Sequence, residues 1–244
     1  MDWMEDHDRH SQRLHYYIAA GLGFQPAVEE ELKRYRNYYT VSAVPAKPLH
    51  IKEMLMPDWK PLLENAFAWL GDWRPSAILG FLLTCHEVDV VQLPPHHVDF
   101  VKELIRISHH NETILDEEMA EYQAISAFNP AVATPRNAHQ PLPALFFALH
   151  DSSNTSNNKN DAQMKSHVKD DMVTCMRRDL TRMNRIVMQA HDMRFNAVEV
   201  VVNRLLTWTQ AARFLFLLAK FQTTFHAFAV SRMDIFGTLL ALFF

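Results

Sequence analysis

Apolar residues recur at helical spacing along almost all of this 244-residue chain, and no alternating apolar-polar run is long enough to make a strand. Five glycines in the whole chain are too few for Gly-rich phosphate loops or for a β-architecture built on tight turns. The expected fold is therefore all-α, a bundle of long and short helices with one long disordered connection. The spacing predicts helices over residues 27–43, 58–70, 75–86, 96–127, 166–206 and 209–231. Pro94-Pro95 sets the start of the long central helix, with Val98, Val101, Leu104, Ile105, Leu115, Met119, Tyr122 and Ile125 as its stripe, and Pro130 bars its continuation. At 48% hydrophobic residues the chain has ample material for one buried core.

The helical pattern is interrupted once, over residues 129–165. Its second half, Asp151 to Asp161, is Ser- and Asn-rich and has nothing apolar to bury, so it is expected to be disordered. Leu142 to Leu149, in between, is apolar enough to dock on the bundle. The organisation expected is an Asp- and His-rich lead over 1–25, a helical domain over 26–232 containing that linker, and an apolar tail over 233–244. Charge is divided unevenly: residues 165–232 hold 11 Lys and Arg against 5 Asp and Glu, whereas residues 1–164 hold 13 against 22. Such a split suits complementarity between packed halves, or a basic surface facing an acidic partner or anionic lipid.

Trp69-Leu70-Gly71-Asp72-Trp73-Arg74-Pro75-Ser76 gathers two tryptophans, a glycine and a helix-starting proline in eight residues. Leu62, Leu63, Ala66, Phe67 and Leu70 lead into it at helical spacing, Gly71 suits the left-handed position that ends a helix, and Pro75 suits a first turn. Two helices are expected to meet there at an aromatic bend, with Glu64 folding toward Arg74 to fix it. This stretch, with two others, resembles the delay-of-germination (seed dormancy) domain of plants, which is shared with the C-terminal domain of TGA bZIP factors. The other two are Arg34 to Tyr39, followed by Ala46-Lys47 and the apolar Ile51, Met54 and Leu55, and Gln189 to Arg194, followed by Leu205-Leu206 and Gln210 to Leu215. Within that family, Trp69 to Leu79, Leu115 to Glu121 and Met193-Arg194-Phe195 look most like the inaperturate-pollen type. Asp72 departs from the family pattern, where a second glycine is common, and Ser42 stands where a lysine often follows the tyrosines; either departure could alter a partner surface.

No enzymatic constellation stands out among the remaining residues, and no catalytic or metal-binding residue is assigned. His96-His97 and His109-His110 are about 21 Å apart at helical rise, too far to share an ion. No HExxH or Glu-x-x-His pattern occurs. Haem is possible through the family resemblance alone, and neither His191 nor His226 matches a ligand position. Glu112, Asp116, Glu117, Glu118 and Glu121 crowd one part of the central helix, where a solvated face is the simpler reading than an acid-base pair. Cys85-His86 are adjacent on a helix and point different ways. Arg178, Arg182 and Arg185 line one side of a helix whose other side is Met172, Met176, Leu180, Met183 and Val187. They are the candidate partner-binding residues, for carboxylates or phosphates, the alternative being a solvated face with ion pairs to the acidic half. Glu64, Trp69, Gly71, Trp73, Arg74 and Pro75 are the candidate structural corner. Phe214 to Ala219 is apolar all round, which marks a central helix.

Two cysteines in apolar helical contexts, and a charged start with no signal peptide, place the expected protein in a reducing intracellular compartment. No stretch reaches the roughly 18 to 20 apolar residues needed to span a bilayer as a helix, so a soluble or peripheral protein is expected. The apolar stretch from Ile235 to Phe244 could pack on the bundle or dip into a membrane interface. The resemblance implies a non-enzymatic plant regulator acting through protein contacts, most like proteins that specify pollen apertures at plasma-membrane domains. Alternatives are a transcription-associated or seed-dormancy regulator of the same family, a TGA-like co-regulator or a phosphatase-binding protein, with a nuclear location, and a haem- or small-ligand-binding helical sensor. No run of closely spaced Lys and Arg leads into leucine heptads, so direct sequence-specific DNA binding is not expected. The oligomeric state is left open.

Overall fold

A computed structural model describes residues 3–21, 23–40, 48–128 and 159–243, and among these every regular element is a helix. In chain order they are α1 (Trp3–Ala20), α2 (Phe24–Thr40), α3 (Pro48–Leu55), α4 (Leu62–Phe67), α5 (Pro75–Glu87), α6 (Pro95–Phe128), α7 (Lys159–Val200), a π-helical turn (Val201–Leu205) and α8 (Trp208–Phe243). The Asp- and His-rich lead is thus a helix. Its long polar side chains mask an apolar stripe, of which Met4 and Leu14 are buried, and α1 packs along α8. Helix α7 begins at Lys159, so residues 159–165 continue a helix where a linker is expected from composition. The expected disorder over 151–158 and the docking of Leu142 to Leu149 lie outside the described residues.

Local chemistry places several boundaries. Pro95 is the first residue of α6, where its missing N–H costs nothing, and the amides of His97 and Val98 bond to the Pro94 carbonyl. Thr207 and Gln210 form a capping box at the start of α8: the Thr207 amide and hydroxyl donate to Gln210 Oε1 at 3.0 and 2.9 Å, and the Gln210 amide returns to the Thr207 hydroxyl. Between them the π turn ends in extended Leu206, which lets α7 and α8 change direction.

Two apolar clusters result. The larger joins α1, α2, α5, the end of α7 and α8 through residues such as Tyr35, Leu82, Val198, Phe214 and Leu215. The smaller joins α3, α6 and α7 through Ile51, Leu115, Met119 and Ile186, and it also takes in Trp69. The predicted α6 stripe is observed: Val101, Leu115, Met119 and Tyr122 are buried. Phe214, Leu215, Leu218 and Ala219 are likewise buried, as the apolar run in α8 implies. One expectation is corrected by α8, which from Trp208 to Arg232 is long and apolar enough, by length and composition, to cross a membrane. Scattered polar residues such as Gln222 and Thr223 interrupt its apolar run, yet its mean hydropathy stays at 1.2. In this structure the same helix supports α1, α2, α4 and α5.

Candidate functional site

The bend between α4 and α5 differs from the expected helix-to-helix junction. Helix α4 stops at Phe67, and Trp69 to Asp72 form a tight turn in which the Trp69 amide donates to the Asp72 carbonyl at 2.7 Å and the Asp72 amide to the Trp69 carbonyl at 3.2 Å. Leu70 and Gly71, its central residues, have φ of 46° and 95°, the pair of positive values that a type I′ turn requires. Gly71 is therefore not a helix cap. A Cβ on it would lie 2.0 Å from the Met54 carbonyl oxygen, so glycine also lets the turn press against the end of α3.

A buried arginine holds this turn. Arg194 of α7 is fully buried; its guanidinium donates to the carbonyls of Trp73 (2.7 Å), Leu70 (3.1 Å) and Trp69. Arg194 Nη1 lies 2.9 Å from His191 Nδ1. With one charged side chain satisfying three carbonyls that no helix serves, the turn can be buried without unpaired acceptors. Burial, and then the Arg194 charge, push His191 down to about 3, so its ring is neutral. Its Nε2 is buried with no hydrogen-bond partner.

Around this centre the charges are matched. Asp72 lies 3.3 Å from Lys60 and accepts the Trp73 amide at 2.8 Å, while Lys60 Nζ donates to the Gly71 carbonyl at 3.0 Å. Burial would raise the Asp72 carboxyl, but Lys60 and Arg194 outweigh it and hold it below the usual range. Asp72 is thus an internal charge rather than part of a partner surface. The expected Glu64–Arg74 pair does not form. Glu64 meets His226 of α8 at 2.6 Å and Lys60 at 4.0 Å, whereas Arg74 turns to Glu112 and Asp116 of α6 at 3.4 and 3.2 Å. Glu64 is buried on the α8 side of the corner, away from the face that Arg74 occupies.

Glu112 departs from the expected solvated face, on which Glu117 and Glu121 do stay exposed. It is fully buried and accepts the Ser76 amide at 2.8 Å and the Ser76 hydroxyl at 2.9 Å, capping the first turn of α5 from a different helix. Asp116 accepts the Trp69 indole N–H at 2.7 Å. Trp69 is buried, with the guanidinium carbons of Arg74 and Arg194 at 5.1 and 5.3 Å from its ring. Trp73 is half-buried and packs against Phe221 and Phe225 of α8, both at 5.3 Å. Pro75 is the first residue of α5. The corner residues thus converge, except that Glu64 has a different partner, and the sequence assigned no role to Lys60, Glu112, Asp116, His191 or Arg194. The joint appearance of Trp69 to Ser76 and Gln189 to Arg194 in the resemblance was the available signal.

A second buried charge group ties α1 to α2. Arg34 pairs with the fully buried Glu31 and lies 2.5 Å from His7 Nδ1, and His10 lies 3.4 Å from Glu31. Burial and the Arg34 charge push His7 down to about 4; burial opposes the ionisation of Glu31, but the hydrogen bonds from His10 and Arg34 hold it at about 2.

The candidate arginines are placed differently. Arg182 pairs with Glu121 and Arg185 with Glu118 at 2.6 Å, so two of the three bind the acidic section of α6, and Arg178 is exposed beside them. Among the described residues, no three His, Cys, Asp or Glu side chains are grouped to hold a metal ion. Burial pushes the Cys85 thiol up to about 11, away from the reactive thiolate. Beside the corner, Lys60, Glu64, Phe67, Asp72, Trp73 and Phe225 line a dimple of about 10 Å³, far below the size of organic cofactor pockets. His191 faces Arg194 in the core and His226 faces Glu64, each through its Nδ1.

Known proteins match part of this chain. Residues 9–84 match the family model for seed dormancy control, from within α1 to the body of α5. These residues are similar to the seed-dormancy-control family over about a third of the chain. The chain is 31% identical over 85 residues to transcription factor HBP-1b(c38) of Triticum aestivum, covering 34% of this chain and 25% of that protein. It is 29% identical over 83 residues to transcription factor TGAL1 of Oryza sativa subsp. japonica, covering 33% of this chain and 17% of that one. The match therefore spans a quarter or less of the length of these curated relatives. Within the matched residues 9–84 lie Lys60, Trp69, Gly71, Asp72 and Ser76, whereas Glu112, Asp116 and Arg194, which complete the corner, lie beyond them.

Proposed function

We propose that this chain is a non-enzymatic plant regulator of the transcription-associated or seed-dormancy kind, working through protein contacts. The observation that carries this reading is that the family-matched segment, residues 9–84, lies in the described structure as helices locked by a buried charge network rather than as a cleft presenting reactive groups. His7 and His191 are held neutral, Asp72 and Glu31 are held ionised, and the Cys85 thiol is raised, so none of these is poised to exchange protons near neutral pH. Similarity to named transcription factors supports a nuclear place of action and partners that bind DNA.

A finer reading is pollen-aperture specification at plasma-membrane domains. Support comes from the three stretches that resemble the inaperturate-pollen type, Trp69 to Leu79, Leu115 to Glu121 and Met193 to Phe195, which meet at the corner through the Trp69–Asp116 bond and the Arg194 bonds. Under this reading exposed Arg178, with Arg182 and Arg185 when released from Glu121 and Glu118, would contact anionic headgroups or an acidic partner. One experiment separates the readings: tagged chain expressed in developing anthers and in seeds, with its location imaged and its bound proteins identified. Nuclear signal with DNA-binding partners supports the first, and plasma-membrane domains in anthers support the second. A Soret band in the purified protein would overturn both in favour of ligand sensing.

A further inference from the structure

Thr174, Arg178, Thr181, Arg182 and Arg185 of α7 line one open groove, so Thr181 shares the arginine side of the helix. Thr181 and Arg178 are both exposed. Arg178 and Arg185 lie three residues before and four after Thr181, which makes them its neighbours on the helix face, whereas Arg182 points about 100° away. Arg185 reaches across to Glu118 of α6 at 2.6 Å, and Arg182 reaches Glu121. Among the α7 residues whose side chains are described, the first buried one is Met183. Thr181 therefore sits where α7 leaves the core, and the turn around it can open with only Leu180 of the described residues leaving the smaller apolar cluster.

We propose that Thr181 is a phosphorylation site, and that its phosphate takes Arg185 from Glu118 and loosens α6 from α7. Met176-Arg177-Arg178-Asp179-Leu180-Thr181 puts arginines four and three residues before the hydroxyl and an apolar residue five before it, a charge pattern that basophilic protein kinases grip. The kinase moves the γ-phosphoryl group of ATP to the Thr181 oxygen; the hydroxyl proton goes to the kinase's catalytic carboxylate, and ADP leaves. Arg204 stands in the same place before Thr207, but the Thr207 hydroxyl is held in the cap of α8.

Charge decides what the phosphate does. Arg178, Arg182 and Arg185 carry one positive charge more than Glu118 and Glu121 balance. A phosphothreonine carries about −1.5 to −2 at neutral pH, which turns that surplus into a deficit. One carboxylate must then lose its cation. It is Glu118, because Arg178 and Arg185 flank the phosphate and both forks can donate to its three oxygens, while Arg182 stays with Glu121. Glu118 is left facing a second anion, one residue from buried Met119. The repulsion acts where Leu115, Met119 and Tyr122 of α6 share the smaller cluster with Met183 and Ile186 of α7.

The test treats the full chain with ATP and a calcium-dependent protein kinase that selects arginine three residues before its target, followed by site mapping and hydrogen exchange. Phosphate is expected on Thr181 and not in Thr181→Ala, and Arg178→Gln is expected to slow its incorporation at least about tenfold. Exchange of the α6 amides from Leu115 to Tyr122 should quicken at least about threefold on phosphorylation. Glu118→Gln, which has no carboxylate to leave unpaired, should respond to phosphorylation much less. No phosphate on Thr181, phosphate on Thr207 instead, or incorporation that Arg178→Gln leaves unchanged overturns the proposal. So does phosphorylated protein whose α6 exchange is unchanged, or quickens equally in Glu118→Gln.

Discussion

Gly71 shows how much of this fold depends on single atoms. Its φ of 95° would cost any L-residue about 1 to 2 kcal/mol, and a methyl group would meet the Met54 carbonyl oxygen at 2.0 Å. Gly71→Ala is expected to destabilise the protein by at least about 3 kcal/mol, read as a lower midpoint in urea unfolding. Arg194 is the matching case in electrostatics. Arg194→Met removes the donors to the Trp69, Leu70 and Trp73 carbonyls and leaves Asp72 with one cation fewer, a loss of about 3 to 5 kcal/mol. Arg194→Lys is expected to recover little, because an ammonium cannot spread over carbonyls that the planar fork reaches together. The arginine is visible in the sequence as one residue of the Gln189 to Arg194 stretch; that it is fully buried could not be read there, since the carbonyls it serves lie 121 or more residues away.

Among the elements, α5 begins on a support supplied by α6. Pro75 removes one orphan amide and Glu112 accepts the next, at Ser76, so the junction of these two helices is set by one carboxylate. Glu112→Gln is expected to cost about 1.5 to 3 kcal/mol, and hydrogen exchange at the Ser76 amide should quicken more than exchange in the middle of α5. Helix α1 illustrates the opposite balance. Its buried face includes His7 and Ser11 beside Met4 and Leu14, so the hydrophobic period is diluted and the segment reads as a polar lead. Helix α4 was overextended for a related reason. Leu62 to Leu70 keep the helical spacing, yet Ala68 is extended, at φ −70° and ψ 136°, and Trp69 leaves the helix for the core beside α6 and α7. Local spacing reports which face is apolar, and it is silent when a tertiary pocket takes one aromatic residue out of register.

At the scale of the whole molecule, two buried histidines make stability depend on pH. His7 at about 4 and His191 at about 3 both lie below the unfolded value of 6.5, so the unfolded chain binds more protons in between. Their contribution is complete above about pH 6.5 and is lost as pH falls toward 4, at up to about 1.4 kcal/mol per pH unit for each. Urea midpoints measured from pH 7 to pH 5 should fall, and His191→Gln should flatten that slope, before Glu31, at about 2, and the lowered Asp72 begin to take up protons. For duplex DNA, the isolated chain is expected to bind no more tightly than about 10⁻⁴ to 10⁻⁶ M at physiological salt, because the basic residues of α7 are spread along a helix and two of them are paired with α6; a gel-shift titration checks it. The sequence by itself determined the helical class, the Pro94-Pro95 boundary, the buried stripe of α6 and the central place of Phe214 to Ala219, since each follows from local periodicity or from the missing amide of proline. Only the tertiary structure decided that Glu64 turns to His226, that Arg74 turns to α6, and that a buried arginine holds the turn. Those choices depend on which charges meet in the interior, where an unpaired ion is too costly to leave and the paired residues are far apart in the chain.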